Sequence, residues 1–168
     1  MQPVRGSGVR RKLLMGVVLV AAMLAGCGGS DESAAQSGAG ALSLTERLAQ
    51  YEASLRAEAN WLWDNMISAR SHGRPDAARC QRPDFNHPVV ELDEAGRSQD
   101  SAVAVLEQLT YAETLIAQAR DFWQTHCDGT QSSANTAAFL QSRLDPAYGA
   151  LQRALAGIEA RRRAEARR

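Results

Sequence analysis

The stretch SAVAVLEQLTYAETLIAQARDFWQTHC, residues 101–127, carries the clearest structural signal in the chain. Its apolar residues recur every three or four positions, which places them on one face of an α-helix. Gly129 follows shortly after the stretch and is a typical C-terminal cap. We therefore predict a helix from about Ser101 to His126 that buries this face. The face consists of Ala102, Val105, Leu109, Ala112, Ile116, Ala119 and Trp123, broadened by Leu106, Leu115 and Phe122.

A second amphipathic stretch lies upstream and begins with a capping box. In Ser43-Leu44-Thr45-Glu46 the side chains of the serine and the glutamate can each accept a hydrogen bond from the other residue's backbone N–H. Gly73 supplies a left-handed cap and Pro75 cannot continue a helix, so we predict that this helix ends there. Its apolar face consists of Leu44, Leu48, Tyr51, Leu55, Ala59, Leu62, Met66 and Ala69.

A third helical segment occupies the C-terminal part of the chain. It is rich in alanine from Ser133 to Leu144. Asp145-Pro146 then has the character of an N-cap followed by a first helical position, so we predict a bend or break at Pro146. No alternating strand pattern competes with these three segments. The predicted fold class is all-α, a small helical bundle of three long segments. Beyond Pro146 the helical spacing continues through Tyr148, Leu151, Leu155 and Ile158.

The first 27 residues have the organisation of an export signal. Residues 1–12 are basic, and Leu13–Leu24 form an apolar stretch too short to span the roughly 30 Å core of a bilayer. Leu24-Ala25-Gly26-Cys27 then resembles the lipobox of bacterial prolipoproteins. This resemblance, confined to residues 1–27, implies cleavage before Cys27, a diacylglycerol on its sulfur and usually acylation of its new amino group. Two or three acyl chains would hold the mature protein permanently at a membrane.

Two alternatives remain open for this signal. It could be an ordinary secretory signal with an incidental cysteine, and Arg10-Arg11 ahead of the apolar stretch also resembles the twin-arginine export motif. In a Gram-negative cell, Gly28 in place of an aspartate implies the periplasmic face of the outer membrane. In a Gram-positive cell the same signal implies the outer face of the plasma membrane.

The composition separates a tether from a folded domain. Residues 28–41 (GGSDESAAQSGAGA) are rich in Gly, Ser and Ala and predict a flexible tether with a span of about 20 Å. The predicted regions are a signal peptide at 1–26, the lipidated Cys27 with its tether at 27–42, and a helical domain at 43–168. The chain from Cys27 onward carries 15 arginines against 19 acidic residues, a net charge of −4. We expect no nucleic-acid partner, because neutralising phosphates requires a basic face.

The remaining two cysteines constrain the topology. In an oxidising compartment Cys80 and Cys127 are expected to form a disulfide, which would stabilise the fold by about 4 kcal/mol. Cys80 lies just after the first helix, whereas Cys127 ends a second helix about 39 Å long. The two helices must then run parallel with their C-termini at one pole, and the third runs antiparallel to both. Residues 81–100 would return along the bundle as a strap that buries Phe85, Val89, Val90 and Leu92.

The histidines offer a candidate metal site at the same pole. Cysteines, histidines and carboxylates are ligands for zinc or copper. The chain has no CxxC or HxxxH spacing, however, so we expect histidines that face solvent or favour helix ends. It also has no glycine-rich phosphate loop and no GxSxG, HExxH or CxxCH motif. We therefore expect that the protein is not an enzyme and that it has no catalytic residue, no metal and no cofactor. The residues of this candidate site are His72, His87 and His126 with Asp76, Asp84 and Asp128.

Two features suggest contact with a partner. Trp61 lies beside the polar positions Glu58 and Asn65, so it is expected to be partly exposed, unless it covers the strap or the bundle edge. Trp63 points about 200° away from it and can widen the core. The C-terminal arginines could contact an envelope protein, anionic lipid or glycan, or simply form a solvated helix end. They are Arg161, Arg162, Arg163, Arg167 and Arg168.

These observations favour a structural or interaction role over the binding of a ligand or metal. We expect a membrane-anchored bacterial lipoprotein that acts as a structural or protein-interaction module of the cell envelope, bound to the membrane through the lipid on Cys27. The alternative is an extracytoplasmic lipoprotein that binds a ligand or metal near Cys80 and Cys127.

Overall fold

The computed structural model describes residues 42–72 and 77–168, and every regular element within those ranges is helical. The signal peptide, Cys27 and the tether predicted from the sequence lie outside the described residues, as do Gly73 and Pro75. None of the helices in the described ranges is long and apolar enough to cross a membrane. The elements are α1 (Leu44–His72), α2 (Ala77–Cys80), α3 (Glu94–Arg97), α4 (Asp100–Cys127) and α5 (Ser133–Glu165).

Helix α1 begins at the predicted capping box. The Ser43 backbone N–H donates to Glu46 Oε2 at 2.8 Å, and the Glu46 backbone N–H donates to Ser43 Oγ at 3.2 Å. These bonds satisfy two of the backbone donors that a helix start leaves unpaired. The helix buries its predicted apolar face except for Leu44, which is partly buried, and beside this face it buries a set of polar residues. That polar set is Thr45, Glu52, Glu58 and Asn65.

Helix α4 ends at Cys127 and is closed, as the sequence predicts, by Gly129. This glycine has a φ of 76°, a left-handed conformation that side chains with a Cβ rarely adopt. Its N–H donates to the His126 carbonyl at 3.0 Å, and the Thr130 N–H donates to the Thr125 carbonyl at 3.1 Å. The two bonds form a Schellman motif, which closes the helix and directs the chain into α5.

Helix α5 corrects the prediction of a break at Pro146, whereas a bend there stays a prediction. Asp145 and Pro146 do not start a new helix, because α5 runs without interruption from Ser133 to Glu165. A proline inside a helix removes one backbone hydrogen bond and costs about 3 kcal/mol. Here Leu144 and Ala147, on either side of the proline, are both fully buried in the same core, and their burial offsets that cost.

The buried face of α5 also carries smaller side chains than the sequence predicts. Leu155 is only partly buried, whereas its neighbour Ala154 is fully buried. Small residues on this face allow α5 to approach α4 closely. One such point is Gly157, where an added Cβ would lie 2.5 Å from Val105 Cγ2.

The Cys80–Cys127 disulfide is present, and the helix directions agree with those inferred from it. The two Cα atoms lie 5.7 Å apart. Tyr51 of α1 donates to Glu113 of α4 at 2.6 Å, and further along both helices Arg120 contacts Glu58 at 3.4 Å. Since contacting residue numbers rise together, α1 and α4 run parallel.

Helix α5 runs antiparallel to α1 and α4, and residues 81–99 return between the two poles as the strap. At one end of α5, Thr45 donates to Glu165 at 2.6 Å, and further along Tyr148 donates to Asn60 at 2.8 Å. Val90 of the strap is buried, whereas Val89, which was predicted to be buried, is 83% exposed. The core shared by the three long helices contains Leu48, Leu55, Leu62, Met66, Leu109, Ile116, Trp123, Leu140, Leu144, Leu151 and Ile158.

Candidate functional site

One end of the molecule, which we call the tether pole, brings together the start of α1, the start of α4 and the end of α5. Arg161 joins these three parts. Its Nε donates to Thr45 Oγ1 at 3.2 Å, its Nη1 to Ser101 Oγ at 3.0 Å and its Nη2 to Gln99 Oε1 at 3.0 Å. The side chain is only 10% exposed. Arg161, predicted as a contact residue, therefore has a structural task inside this pole.

The other four predicted contact arginines are exposed on the last turns of α5 and just beyond it. They are Arg162, Arg163, Arg167 and Arg168. Arg163 is 4.0 Å from Glu159, a surface ion pair of little energetic weight. The pKa of Glu46 at the start of α1 is lowered, chiefly by hydrogen bonds from Ser43 and to a smaller extent by the charge of Arg162. The end of α5 therefore lies beside the start of α1, where Thr45 donates to Glu165 at 2.6 Å.

Trp61 lies on the side of α1 that the strap covers. Its ring centroid is 6.0 Å from that of Phe85, and the Arg82 guanidinium lies 5.7 Å from the Phe85 centroid. Trp61 is partly buried by this contact, so the strap accounts for part of its apolar surface. Trp63, as predicted, widens the core, where it meets Tyr148 edge to face at 5.8 Å.

The structure separates the residues of the candidate metal site. His72 is exposed and contacts the Ser68 carbonyl, whereas His126 is buried beside Trp123 and contacts the Gln131 carbonyl. Asp76 lies outside the described residues, Asp84 is exposed, and Asp128 caps α4. Within residues 42–72 and 77–168 no group of three or more histidine, cysteine or acidic side chains is arranged to hold a metal ion.

His87 belongs to a buried charged cluster that sequence analysis missed. At its centre is Glu58 of α1, whose side chain is fully buried. Glu58 Oε2 lies 2.7 Å from His87 Nε2, and Oε1 lies 3.1 Å from Arg82 Nη2 and 3.4 Å from Arg120 Nη1. We call these four residues the Glu58 clamp. It ties α1 to α4 through Arg120 and to the strap through Arg82 and His87.

The His87 ring is held from both sides. Its Nδ1 lies 2.9 Å from Ser54 Oγ, and its Nε2 lies 2.7 Å from Glu58 Oε2. Ser54 Oγ also lies 3.0 Å from the Tyr51 carbonyl, to which it can donate. The buried Glu58 carboxylate is therefore compensated by two arginines and by its contact with His87.

Serine, histidine and glutamate in contact are the residue types of a hydrolase triad, in which the histidine takes the serine proton. Here Ser54 Oγ lies 2.9 Å from His87 Nδ1 and also 3.0 Å from the Tyr51 carbonyl. Beside the clamp is a cavity of about 390 Å³ whose lining includes Glu58, His87 and Arg120, and Ser54 does not line it. The contacts of the clamp fix the strap against α1 and α4.

The second feature that the sequence did not reveal is an apolar groove between the strap and α4. It has a volume of about 450 Å³. Tyr111 on its wall is 49% exposed, and Leu106, which was expected to pack in the core, is only partly buried. We call this cavity the α4 groove. It is lined by Leu92, Val103, Leu106, Glu107, Thr110, Tyr111 and Thr114.

The chain was compared with protein-family models, with curated proteins and with solved structures, and none of the three comparisons gave a match. A function for the chain must therefore come from its own residues and their geometry.

Proposed function

We propose that the protein is a lipid-anchored structural or interaction module of the bacterial cell envelope, with no catalytic role. In this proposal the mature chain begins at a lipidated Cys27, continues through a tether and ends in a helical bundle held by one disulfide. The lipobox-like Leu24-Ala25-Gly26-Cys27 supports the anchor. The protein would lie on the periplasmic face of the outer membrane or, in a Gram-positive cell, on the outer face of the plasma membrane.

The observation that carries the proposal is the position of the exposed arginines. Arg162, Arg163, Arg167 and Arg168 lie at the tether pole, the same end at which residue 42 enters the folded domain. A tether of 14 residues spans about 20 Å as a random coil, so the lipid would keep this pole near the bilayer. The exposed cations would then be directed at the membrane surface rather than away from it.

Such cations can add to the anchor. An arginine near an anionic surface contributes about 1 kcal/mol, and its planar guanidinium can bind a phosphate with two hydrogen bonds. Four exposed arginines could therefore orient the domain on anionic headgroups or on an acidic glycan or protein. The acyl chains would supply the membrane affinity, at about 0.8 kcal/mol for each buried CH₂.

The absence of catalysis is part of the proposal, and the described residues support it. Glu58, whose side chain is fully buried, contacts Arg82, His87 and Arg120. The alternative of a thiolate metal site at the disulfide pole loses its ligands, because Cys80 and Cys127 are bonded to each other.

Photocrosslinking in intact cells tests the orientation. A photoreactive amino acid replaces Arg167 at the tether pole in one variant and Ser71 at the opposite end of α1 in a matched control; both positions are exposed. We expect position 167 to form adducts with lipid headgroups or an envelope component, and position 71 to form few of them. Equal adducts at both positions, or adducts only at position 71, would contradict the proposed orientation.

A further inference from the structure

A polar cleft of about 450 Å³ lies at the tether pole, between the start of α4 and the end of α5. It shares no lining residue with the α4 groove. Two arginines line it against one glutamate, so the charged side chains around it sum to +1. We call it the Arg161 cleft. Its polar lining residues are Gln99, Ser101, Arg161, Glu165 and Arg168.

Arg161 is the fixed cation of this cleft. Its side chain is only 10% exposed, and its hydrogen bonds to Thr45, Ser101 and Gln99 tie it to α1 and to the start of α4. A guanidinium has five N–H groups, and these bonds use three of them. The other two are on Nη1 and Nη2, and the charged group of the cleft nearest to them is Glu165, at 3.8 Å from Nη2. Arg161 can therefore donate to a ligand without moving.

Ser101 and Arg168 add further donors to the cleft. The Ser101 hydroxyl accepts from Arg161, and its own proton has no acceptor among residues 42–72 and 77–168. Arg168 is exposed, and its guanidinium forms no hydrogen bond or ion pair with the described residues. Glu165, the acid of the cleft, already accepts from Thr45 at 2.6 Å. Donors therefore outnumber acceptors here, and the matching ligand is an anion with several acceptor oxygens.

We propose that the Arg161 cleft binds a phosphate group. Arg161 and Arg168 compensate its charge, and the Ser101 hydroxyl donates to one of its oxygens. A phosphate monoester carries about −1.5 to −2 charges at pH 7 and three strong acceptor oxygens, so it can accept from all three side chains at once. The cleft is open to solvent on one side, so the rest of the ligand can stay in water or in a headgroup layer.

The phosphate can belong to a lipid headgroup or to a free phosphate ester. The inference deepens the proposed contact of the tether pole with anionic groups, and it rests on that proposed function only for a headgroup source. A bound headgroup would fix the start of α4 and the end of α5 at the membrane surface. The exposed arginines alone would give an attraction that depends on distance and is screened by salt.

The test measures the binding of inorganic phosphate to the full-length protein purified in a nonionic detergent. Phosphate is titrated against a chloride background at constant ionic strength, and binding is followed by isothermal titration calorimetry. We expect saturable binding of one phosphate for each protein. The absence of saturable binding would overturn this inference but not the proposed anchor or orientation, because the other exposed arginines would still face the bilayer.

A matched pair of arginine variants assigns the binding to the cleft. Arg168→Gln removes a cation that lines the cleft, whereas Arg167→Gln removes its exposed neighbour, which does not line it. We expect the affinity for phosphate to fall about tenfold in Arg168→Gln, which corresponds to about 1.4 kcal/mol. In Arg167→Gln it should fall by about twofold or less. Equal falls would show attraction by net charge and would contradict a defined site.

A pair of glutamate variants should act in the opposite direction. Glu165→Gln removes the one acid that lines the cleft, and Glu159→Gln removes an acid of similar exposure outside it, 54% against 47%. We expect the affinity for phosphate to rise about threefold in Glu165→Gln, because a partly exposed like charge is removed, and to stay nearly unchanged in Glu159→Gln. An unchanged or lower affinity in Glu165→Gln would contradict the inference.

Two phosphate esters then distinguish the sources of the phosphate. Glycerol 3-phosphate carries the phosphate without acyl chains, and a short-chain phosphatidic acid carries the same phosphate within the detergent micelle. Tighter binding of the phosphatidic acid, weakened in Arg168→Gln, identifies a lipid headgroup as the ligand. Equal or tighter binding of glycerol 3-phosphate, also weakened in Arg168→Gln, identifies a free phosphate ester. If Arg168→Gln leaves the binding of both esters unchanged, the Arg161 cleft is not the site.

Discussion

Replacing Glu58 with glutamine should destabilise the protein and release the strap. The substitution keeps the shape of the side chain but removes the negative charge at the centre of the clamp. Two arginines and His87 would then face a neutral amide, and the two guanidinium groups, which can only donate, would lose the charge that compensates them. Removing one partner of a buried ion pair typically costs 3–5 kcal/mol, because the other partner remains as an uncompensated charge.

The exposure of the three side chains around Glu58 reduces this figure. Arg82 is 39% exposed, Arg120 30% and His87 16%, so water can partly solvate the two arginines once Glu58 is neutral. We therefore expect Glu58→Gln to lower the free energy of unfolding by about 2–3 kcal/mol. For a domain of this size that corresponds to a fall in Tm of about 6–15 °C, measured by circular dichroism on the oxidised protein.

The matched control is Glu52→Gln on the same helix. Glu52 is also buried, but its ion-pair partner is Arg56, one turn away on α1, at 2.7 Å between Arg56 Nε and Glu52 Oε1. Such a pair contributes about 0.5 kcal/mol and does not connect α1 to the strap.

Limited proteolysis with thermolysin distinguishes global destabilisation from release of the strap. Under native conditions, cleavage within residues 81–99 should rise about thirtyfold in Glu58→Gln, since local opening becomes easier by about 2 kcal/mol. It should stay near the wild-type rate in Glu52→Gln. Equal stability and equal cleavage of the two variants would refute the reasoning that Glu58 fixes the strap.

Further predictions concern the approach of α5 to α4 and the buried tyrosine. Gly157→Ala should lower the free energy of unfolding measured in urea by about 1–2 kcal/mol, because the added Cβ would lie 2.5 Å from Val105 Cγ2. Gly149→Ala would meet only the flexible end of an arginine and should raise the free energy of unfolding by about 0.5–1 kcal/mol. The reverse order would contradict the described packing. Burial and the hydrogen bond to Glu113 raise the pKa of Tyr51, so the stability that its neutral form provides is present below pH 10 and is lost as the pH rises further. A Tm measured between pH 8 and pH 11 should therefore fall at the alkaline end, less steeply in Tyr51→Phe, and an unchanged slope in that variant would contradict this explanation.

Local signals and the cysteine pair predicted much of the fold. The capping box at Ser43 and the Schellman motif at Gly129 are decided by neighbouring residues, so their sequence patterns suffice. The parallel course of α1 and α4 followed from a covalent constraint, since Cys80 can meet Cys127 only if both helices end at the same pole.

The features that escaped prediction depend on contacts between distant parts of the chain. Pro146 predicts a break from local propensity alone, but burial on both sides of it keeps α5 continuous. Glu58 has the sequence character of a surface residue, and only the strap, some 30 residues later, converts it into a buried centre. The α4 groove likewise exists because the strap covers only part of α4. Helical periodicity cannot show where an irregular segment will lie.

The mass of the mature N-terminal peptide shows whether the protein carries the proposed lipid anchor. The protein would be isolated from the membranes of the cells that produce it and digested, and the N-terminal peptide analysed by mass spectrometry. We expect a chain that begins at Cys27 and carries a diacylglyceryl group on its sulfur. An N-terminus at another residue, or Cys27 without lipid, would contradict it.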